Sequence, residues 1–253
     1  MTSIPPPYAH QTDTTDFITN NLRCLITSDP GTGKTRSVLD AHVKNKCVTL
    51  VLAPLSILEA AWVDDIVKFQ PTINCGVAYA KNRKKIFEDP KYDMVITNFE
   101  AVNFLKKNPK YLERFDTLVV DEFTAFKNKD AKRSKNLKTL VGHFDRRIFM
   151  SGTPNTNTIL DLWHPALCVD DGERLGVRYY SFRNQVCTSK FNGFANEWID
   201  KPGIEETVAQ MLSDITIRHA LEDCIDLPDN IVRTLYTSLT PAVQKMYKTL
   251  QDS

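Results

Sequence analysis

A glycine-rich turn carrying a lysine and a threonine stands near the start of the chain, in the run Gly31-Thr32-Gly33-Lys34-Thr35. Glycines let backbone N–H groups curl around phosphate oxygens, the lysine reaches the β- and γ-phosphates, and the threonine hydroxyl can bind Mg²⁺. The turn follows an apolar run at 24–27 and precedes a helix-like stretch, so a helix N-terminus would face the anion. The pattern predicts a P-loop that includes Asp29; a glycine turn that merely precedes a lysine is the alternative.

Two adjacent carboxylates, Asp121 and Glu122, end a second apolar run that begins at Thr117. An acid at a strand tip can hold the magnesium shell, and the next acid can orient and deprotonate an attacking water. A helix N-cap pair or a loop salt bridge would explain the same residues without chemistry. Together with the P-loop, the pair predicts nucleoside triphosphate hydrolysis, with Lys34, Asp121 and Glu122 catalytic and with Thr35 and Asp121 on the metal.

A third apolar run, at 147–151, ends in Ser151-Gly-Thr153-Pro. Hydroxyl groups at a strand tip can bond to the carboxylates of the neighbouring strand and pass the state of the site to another surface. A common Ser/Gly/Pro turn is the alternative.

Short apolar runs alternate with longer amphipathic stretches over the first three quarters of the chain. Continuous Val/Ile/Leu runs are typical of parallel strands that are covered on both faces, and such strands carry ligands at their carboxyl ends. We therefore expect an α/β fold, an open and mainly parallel sheet with helices on both faces. The expected strands are 24–27, 48–53, 76–78, 94–97, 118–121 and 148–151, and the expected helices are 34–44, 56–69, 100–107, 131–141 and 159–168.

The character changes after Asp170. Residues 171–203 are rich in aromatic residues and are predicted to be loop-rich, followed by a helix at 204–212, a strand-like run at 231–239 and a helix from Pro241. The last residues form a helical pattern with no capping residue, which we interpret as a cut chain. The predicted units are an ATP-binding lobe at 1–227, with an insertion at 171–216, and the start of a connection at 228–253.

The composition excludes several classes of protein. The chain has 253 residues with 32 Lys+Arg against 31 Asp+Glu, so a histone-like polycation is excluded and any nucleic-acid surface must be local. No apolar run has the length of a membrane span, and the N-terminus does not resemble a signal peptide. The six cysteines form no CxxC pair, so we expect reduced thiols, no structural metal, and a cytoplasmic or nucleoid-associated protein (nuclear if eukaryotic).

These runs together resemble the first RecA-like lobe of a superfamily-two helicase, and within that group the Swi/Snf family of double-stranded DNA translocases. The P-loop matches the first motif of the family, and the stretch at 179–187 is similar to its annealing-helicase-like and phage-encoded branches. The other matching strings are Tyr8-Ala-His10-Gln11, Leu52-Ala-Pro54-Leu-Ser56-Ile-Leu58 with Trp62, Val95-Ile-Thr97-Asn98-Phe99-Glu100, Asp121-Glu122-Phe123-Thr124-Ala-Phe-Lys127-Asn128, and Ser151-Gly-Thr-Pro154 with Asn157 and Leu160-Asp161-Leu162-Trp163.

The resemblance implies roles for residues that the P-loop argument does not reach. Gln11 would read adenine. Thr124, Ser151 and Thr153 would couple hydrolysis to DNA contacts. Contacts to the phosphate backbone, without sequence specificity, would come from Pro54, Ser56, Thr97, Asn98, Lys127 and Asn128.

Three departures from the family pattern limit these expectations. Thr124 replaces the usual histidine, but it could still bond to Ser151 or Thr153, and His219 stands where an arginine is common. The second lobe, which brings an arginine finger worth about 10³–10⁵ in rate, is not in these residues. We therefore expect ATP and Mg²⁺ as cofactors but weak nucleotide binding and slow hydrolysis by this chain alone. A strand-separating helicase and a nucleotide-gated DNA- or protein-binding module without turnover remain the alternatives.

Basic and aromatic clusters give further candidates for contact. Residues 126–138 hold six basic side chains against a single acid, and their position beside Lys127 and Asn128 favours DNA over a merely solvated helix face. The basic knot at 81–85 is predicted to be an exposed loop. Trp62 and Trp163 are predicted to be core residues, and the aromatic cluster at 179–198 a small satellite core rather than a stacking surface.

Overall fold

The structure is a computed structural model that describes residues 4–154, 157–191, 193, 196–224, 233–234 and 239–251. Its strands in chain order are β1 (Arg23–Ile26), β2 (Thr49–Ala53), β3 (Cys75–Ala78), β4 (Met94–Asn98), β5 (Thr117–Asp121), β6 (Arg146–Met150), β7 (Cys187–Phe191), β8 (Asn196–Asp200) and β9 (Thr216–Ile217). Its helices are α1 (Ala9–Asn20), α2 (Lys34–Asn45), α3 (Asp64–Phe69), α4 (Arg83–Glu88), α5 (Ala101–Lys107), α6 (Lys132–Leu140), α7 (Trp163–Asp170), α8 (Tyr179–Val186), α9 (Ile204–Met211), α10 (Leu221–Cys224) and α11 (Pro241–Gln251). None of the helices in these ranges combines the length and the apolar character that crossing a bilayer requires.

Seven strands form one sheet in the order β3-β4-β2-β5-β6-β1-β9, and each neighbouring pair is parallel. The expected α/β class is confirmed, and the first six strands lie within two residues of their predicted bounds. Because the sheet is parallel, the carboxyl ends of β1, β6, β5, β2 and β4 lie along one edge in that order. The motifs that follow these strands therefore meet at that edge.

The core lies on both faces of the sheet, which explains why the strands are apolar throughout. Leu50 and Leu52 of β2 pack into one buried cluster, and Val51 and Ala53 of the same strand pack into the other. The first cluster includes residues of α5, α6 and α7, and the second includes residues of α1, α2 and α3. Alternate side chains point to opposite faces, so a strand between two helical layers buries every position.

The helix α1 is absent from the sequence prediction because its buried face is largely polar. His10, Gln11, Thr14 and Thr15 are buried on it, together with Ile18. The threonine hydroxyls donate to carbonyls one turn back, as Thr14 does to His10 O (2.8 Å) and Thr15 to Gln11 O (2.8 Å). A helix that buries satisfied polar groups lacks the apolar stripe on which the prediction depends.

The single helix predicted over 56–69 is irregular in the structure. A 3₁₀ turn (Leu55–Ile57) leads into a π-helical turn (Leu58–Val63), and only α3 is α-helical. Isolated π-helical turns are frequent at functional sites. This turn contains the fully buried Trp62.

Three further predictions are wrong in whole or in part. Residues 171–203 are not loop-rich, because they hold α8 and the antiparallel β7–β8 hairpin, and Phe182 of α8 joins the main core rather than a satellite. The basic knot at 81–85 is exposed at its three lysines, as predicted, but it is not a loop throughout, because Arg83 begins α4 and is 8% exposed. The helix from Pro241 is present. The strand-like run at 231–239 falls mostly outside the described residues, as does the proposed boundary at 227/228, so the division into units stays a prediction.

Candidate functional site

The glycine-rich turn connects β1 to α2 at the carboxyl edge of the sheet. Gly31 and Gly33 have φ of +87° and +77°, the left-handed region that side chains with a Cβ rarely adopt. These two positive φ values let the chain curl back so that α2 begins at Lys34 with its N-terminus at the turn. Thr32 stabilises the turn through its hydroxyl, which donates to Asp29 O (2.9 Å). Thr35 is half-buried in the first turn of α2.

The ammonium of Lys34 closes this turn on itself. Its Nζ donates to Ser28 O (2.8 Å) and to Asp29 O (3.0 Å). Burial lowers the pKa of Lys34, while the negative charges of Asp121, Glu122 and Asp29 counteract that shift. A half-buried lysine held by two carbonyls, with three carboxylates near enough to act on it, is a ready counter-charge for an anion.

Two side chains of α1 support the turn from behind. His10 Nε2 lies 2.8 Å from Thr32 O, and Gln11 Nε2 donates to the same carbonyl (3.3 Å). A Cβ on Gly33 would lie 2.2 Å from Gln11 Nε2. Gln11 also accepts from Tyr8 N through Oε1 (3.1 Å). Gln11 therefore holds the turn, and its expected contact with adenine stays a prediction.

The first acid of the pair, Asp121, is held by a side chain from a distant part of the chain. Trp62 Nε1 donates to Asp121 Oδ2 at 2.9 Å across 59 positions of sequence. Burial raises the pKa of Asp121, Glu122 adds to the rise, and the bond from Trp62 and the charge of Lys34 oppose it. Trp62 is a core residue, as predicted, but its indole N–H also fixes one oxygen of this carboxylate.

The second acid accepts two hydroxyl donors on one oxygen. Thr124 Oγ1 and Ser151 Oγ both donate to Glu122 Oε1, at 2.6 and 2.5 Å. Glu122 has φ of +59°, a left-handed conformation that costs a residue with a Cβ about 1–2 kcal/mol. The expected bond between Thr124 and Ser151 or Thr153 is therefore replaced by bonds that meet at Glu122. Thr153 is exposed, and it is its backbone N–H that donates to Ser151 Oγ (3.1 Å).

The turn after β6 links the acid pair to the P-loop. Ser151 N donates to Ile26 O (3.0 Å), at the end of the strand that leads into the loop. A Cβ on Gly152 would lie 2.7 Å from Pro30 Cγ, so only glycine lets the two turns approach this closely. Ser151 and Gly152 thus contact both the acid pair and the strand and turn that form the loop.

The chain that follows β9 also contacts the glycine-rich turn. Asp29 N donates to His219 O (3.0 Å), and Asp29 Oδ2 accepts from Leu221 N (3.1 Å). His219 N donates to Ser28 Oγ (3.0 Å), and the Leu221 side chain lies over Gly31. Asp29, predicted to bind nucleotide, is thus engaged with the chain that follows β9.

The residues expected to contact DNA after β2 and β4 are adjacent, because Ala53 and Asn98 are register partners. Ser56 is exposed and Pro54 is half-buried. Asn98 Oδ1 accepts from Arg83 Nη2 (2.8 Å), which presents the amide at the strand tip. The expectation for Thr97 is wrong for its side chain, which is 0% exposed and donates to Ala78 O (2.6 Å) inside the sheet.

The basic segment after Glu122 is partly neutralised. Lys127 Nζ bonds to Asp161 Oδ2 (2.9 Å), in the string that follows the Ser151 turn. Lys138 pairs with Asp171 (2.7 Å), and Lys129 pairs with Asp130 (2.6 Å). Asn128 is exposed, and its side chain caps the backbone N–H of Asp130 (2.9 Å). The contacts of Lys127 and Asn128 with DNA remain predictions.

Sequence reasoning missed the partners of the site residues rather than the residues themselves. Trp62, Arg83 and Asp161 each bond to a predicted site residue from a distant part of the chain. Trp62 and Asp161 stand inside motif strings, which is the only signal that could have found them. For Arg83 the sequence offers none.

Comparisons with known proteins agree with this arrangement. The family described as the SNF2-related domain matches residues 15–253. An ATP-dependent helicase of Mycoplasma pneumoniae is 27% identical over 250 residues, which cover 92% of this chain and 22% of that protein. The ATP-dependent DNA helicase DDM1 of Arabidopsis thaliana is 30% identical over 159 residues, which cover 57% of this chain and 20% of that protein.

A solved structure is similar as well. The Sulfolobus solfataricus SWI2/SNF2 ATPase core in complex with dsDNA has a TM-score of 0.70 and 26% identity, over 97% of this chain and 52% of that one. The chain therefore spans about half of the Sulfolobus core and about a fifth of the two helicases.

Proposed function

The chain belongs to the family of SNF2-related domains, and from that premise we propose that it is the ATP-binding motor lobe of an ATP-dependent DNA translocase. It would hydrolyse ATP to move along duplex DNA when a second RecA-like lobe closes over it. The relatives named as ATP-dependent helicases and the Sulfolobus core in complex with dsDNA support this assignment.

One observation carries the proposal: Ser151 contacts both halves of the site. Its backbone N–H bonds to the strand that leads into the P-loop, and its hydroxyl bonds to Glu122. A site that only bound phosphate would not require a carboxylate pair aligned with the loop. A site that only bound a metal would not require the left-handed glycines. Their alignment through β6 supports hydrolysis of a nucleoside triphosphate.

The residues present fit ATP and Mg²⁺. The left-handed Gly31 and Gly33 and the start of α2 would direct backbone N–H groups toward phosphates, and Lys34 would exchange its two carbonyl partners for phosphate oxygens. Thr35 and Asp121 are the candidate metal ligands. The burial that raises the pKa of Asp121 is a cost that a divalent cation would offset. Mg²⁺ would neutralise phosphate charge and act as a Lewis acid when bound.

The second carboxylate is suited to a proton acceptor. Because Thr124 and Ser151 both donate to Glu122 Oε1, the other oxygen, Oε2, would accept a proton from an attacking water. The two hydroxyls fix the orientation of the carboxylate. Ser151 begins the segment of chain that leads to Asp161, the partner of Lys127, so a change at Glu122 would have a route along the chain to the predicted DNA surface.

Duplex DNA would contact the same edge of the sheet. Pro54 and Ser56 follow β2, Asn98 is the last residue of β4, and Asn128 follows β5. These strands are neighbours, so one phosphate backbone could reach all four residues. Contacts of this kind hold phosphates and carry no sequence information.

Lysine substitution in α2 tests the proposal. We expect Lys34→Ala to abolish the binding of a fluorescent ATP analogue in the presence of Mg²⁺, because it removes the only loop side chain that carries a positive charge. Lys44→Ala is the matched control, since Lys44 lies on the same helix and is 53% exposed. Binding would be measured by fluorescence titration, and ATPase with and without duplex DNA.

The outcomes separate the candidate functions. We expect slow turnover when these 253 residues are assayed without a second lobe. The second lobe would supply an arginine finger, and such a finger is worth about 10³–10⁵ in rate. Unchanged nucleotide binding by Lys34→Ala, or DNA-stimulated turnover as fast as that of two-lobe motors, would contradict the proposal. ATP-dependent DNA binding that never becomes turnover, even with a second lobe present, would instead indicate a nucleotide-gated binding module.

A further inference from the structure

The helix α8 and the β7–β8 hairpin project aromatic rings outward. Tyr180 is 61% exposed and Phe191 at the end of β7 is 67% exposed, while Phe182 anchors the helix in the core. The hairpin is tied down at its base, where Asp200 accepts from Thr158 Oγ1 (2.6 Å) and from Ile159 N (2.8 Å). The outward face of α8 is therefore a fixed surface.

Arg183 stacks on two aromatic rings, those of Tyr180 in α8 and Trp198 in β8. Its Cζ is 3.6 Å from the ring centroid of Trp198 and 4.9 Å from that of Tyr180. Among the described residues no carboxylate lies within 4.0 Å of its guanidinium, and its Nε is buried with no acceptor. Stacking fixes the plane of a guanidinium and leaves its N–H groups directed outward at the edge. A guanidinium that is oriented but has no acceptor is suited to an oxyanion.

Contacts between rings and cations connect Arg183 to the residues predicted to contact DNA at the strand tips and at 127–128, which we call the DNA track. Lys129 Nζ lies 4.7 Å from the Tyr179 centroid and 5.4 Å from the Tyr180 centroid. Two residues before Asn128, the ring of Phe126 meets that of Phe99 edge to face, with centroids 5.1 Å apart. Residues 126–129 thus contact the chain that follows β4 at one end, through Phe126, and the rings beside Arg183 at the other, through Lys129.

The charge of this surface points to one kind of partner. Residues 177–201 carry four basic and two acidic side chains, and one of the acids, Asp200, is turned to the base of the hairpin, where it accepts from Thr158 and Ile159. The basic residues of this stretch are Arg178, Arg183, Lys190 and Lys201, and the acids are Glu197 and Asp200. A positive, aromatic-supported surface continuous with a phosphate track matches a phosphodiester backbone better than an apolar peptide.

We propose that Arg183, held between Tyr180 and Trp198, binds a phosphate of the duplex DNA backbone, so that α8 and the hairpin extend the DNA track beyond the strand tips. The proposal rests on the proposed function, since it requires that the lobe bind duplex DNA at all. It assigns Arg183 a positioning contact with no sequence readout.

Fluorescence anisotropy of a labelled duplex, titrated with the 253-residue chain between about 50 and 200 mM KCl, tests the assignment. Arg183→Gln should weaken binding about 5- to 10-fold at the low-salt end and reduce the slope of log K against log[KCl] by about 0.9. Arg178→Gln is the matched control, because it removes the same charge from an exposed arginine that flanks the same helix. It should change affinity by less than about twofold.

A second variant guards against a folding defect. Arg183→Lys keeps the charge but loses the planar stack, and it should give an intermediate affinity with the parental salt slope. Binding of the ATP analogue should be unchanged in each variant. Equal effects of Arg183→Gln and Arg178→Gln, or an effect of Arg183→Lys on the thermal midpoint but not on DNA affinity, would overturn the assignment. Failure of the parent chain to bind any duplex would instead count against the proposed function.

Discussion

Trp62 and Trp163 provide a matched pair for testing how the metal-side carboxylate is held. Both indoles are buried, and each donates one hydrogen bond: Trp62 to Asp121 Oδ2 (2.9 Å), and Trp163 to the carbonyl of Gly176 (3.0 Å). Replacement of either by Phe keeps an aromatic ring and removes the donor. Only the Trp62 change reaches the candidate site, so the two variants separate a general loss of core stability from a specific loss of function.

The magnitude follows from what each bond joins. A hydrogen bond to a charged group contributes about 1.5–3 kcal/mol, and one between neutral groups about 0.5–1.5 kcal/mol. Groups that orient a metal ligand, when removed, typically cost about 10- to 100-fold in metal affinity. We therefore expect Trp62→Phe to raise the Mg²⁺ concentration needed for half-maximal binding of the ATP analogue at least about tenfold, with metal-free nucleotide binding unchanged. Trp163→Phe should leave both quantities at the parental value.

A pH dependence accompanies this change. Burial raises the pKa of Asp121, so ionising this carboxyl group in the folded protein costs free energy. The protonated carboxyl therefore contributes to the free energy of unfolding in full below its unfolded pKa, and this contribution is lost as the pH rises through its folded pKa. Because the bond from Trp62 opposes that rise, its removal moves the pKa of Asp121 further up. The acid limb of Mg²⁺-dependent nucleotide binding should therefore shift to higher pH in Trp62→Phe. The decrease in the free energy of unfolding of this variant, relative to the parent, should be larger at neutral than at acid pH.

Fluorescence titrations with Mg²⁺ at fixed nucleotide, repeated from about pH 5 to pH 8, measure both effects in the three proteins. Denaturant unfolding of the same samples gives the stability term. The reasoning fails if Trp62→Phe and Trp163→Phe show the same Mg²⁺ midpoint, or if the acid limb of Trp62→Phe does not move. Either result would mean that Asp121 is oriented without the indole.

The remaining predictions concern the loop and a buried histidine. Gly33→Ala should lower the free energy of unfolding by about 1–2 kcal/mol because of the φ of +77° alone, and it should abolish nucleotide binding by displacing Gln11. A Cβ at Gly142 would meet nothing within 4 Å, so Gly142→Ala should leave the free energy of unfolding unchanged in denaturant titrations. Burial lowers the pKa of His164 to about 4, so its stabilising contribution is complete above the ordinary pKa of histidine and is lost as the pH falls toward about 4. The free energy of unfolding, measured by denaturant titration, should fall over that window by about 3 kcal/mol, and by less in His164→Gln. The variant His143→Gln, at an exposed position, should keep the parental profile.

The sheet could be predicted from sequence because burial on both faces leaves an unambiguous pattern. Each strand of the central sheet that was predicted is an apolar run, and all of them except β3 lead into a motif. The elements that were missed lack that pattern. The helix α1 buries threonines and a glutamine against the P-loop, and β9 is two residues long beside β1. The helix α1 lacks the apolar period, and β9 lacks the length, that a sequence pattern can reveal.

The site was predictable in its residues but not in its contacts. The loop and the acid pair are local strings with strict spacing, and parallel topology brings them to one edge. The bond from Trp62 to Asp121 crosses 59 positions, and that from Lys127 to Asp161 crosses 34. Such pairs depend on how helices pack on the sheet. The sequence could therefore name Thr97 at a strand tip but not show that its hydroxyl points into the sheet.

The basic segment at 126–138 shows why a charge run is a weak guide to a nucleic-acid surface. Lys127, Lys129 and Lys138 are already paired with carboxylates, and a DNA phosphate would have to replace those partners. Counterion release increases DNA affinity when lysine and arginine side chains neutralise phosphates, and side chains without a carboxylate partner can do so without first breaking an ion pair. In the described part of the chain, the exposed Lys132 and Arg133 have no carboxylate within 4.0 Å, and neither does the stacked Arg183. DNA affinity should therefore depend on where acids are missing rather than on where lysines are dense, and this is why the arginine outside the charge run is the sharper test.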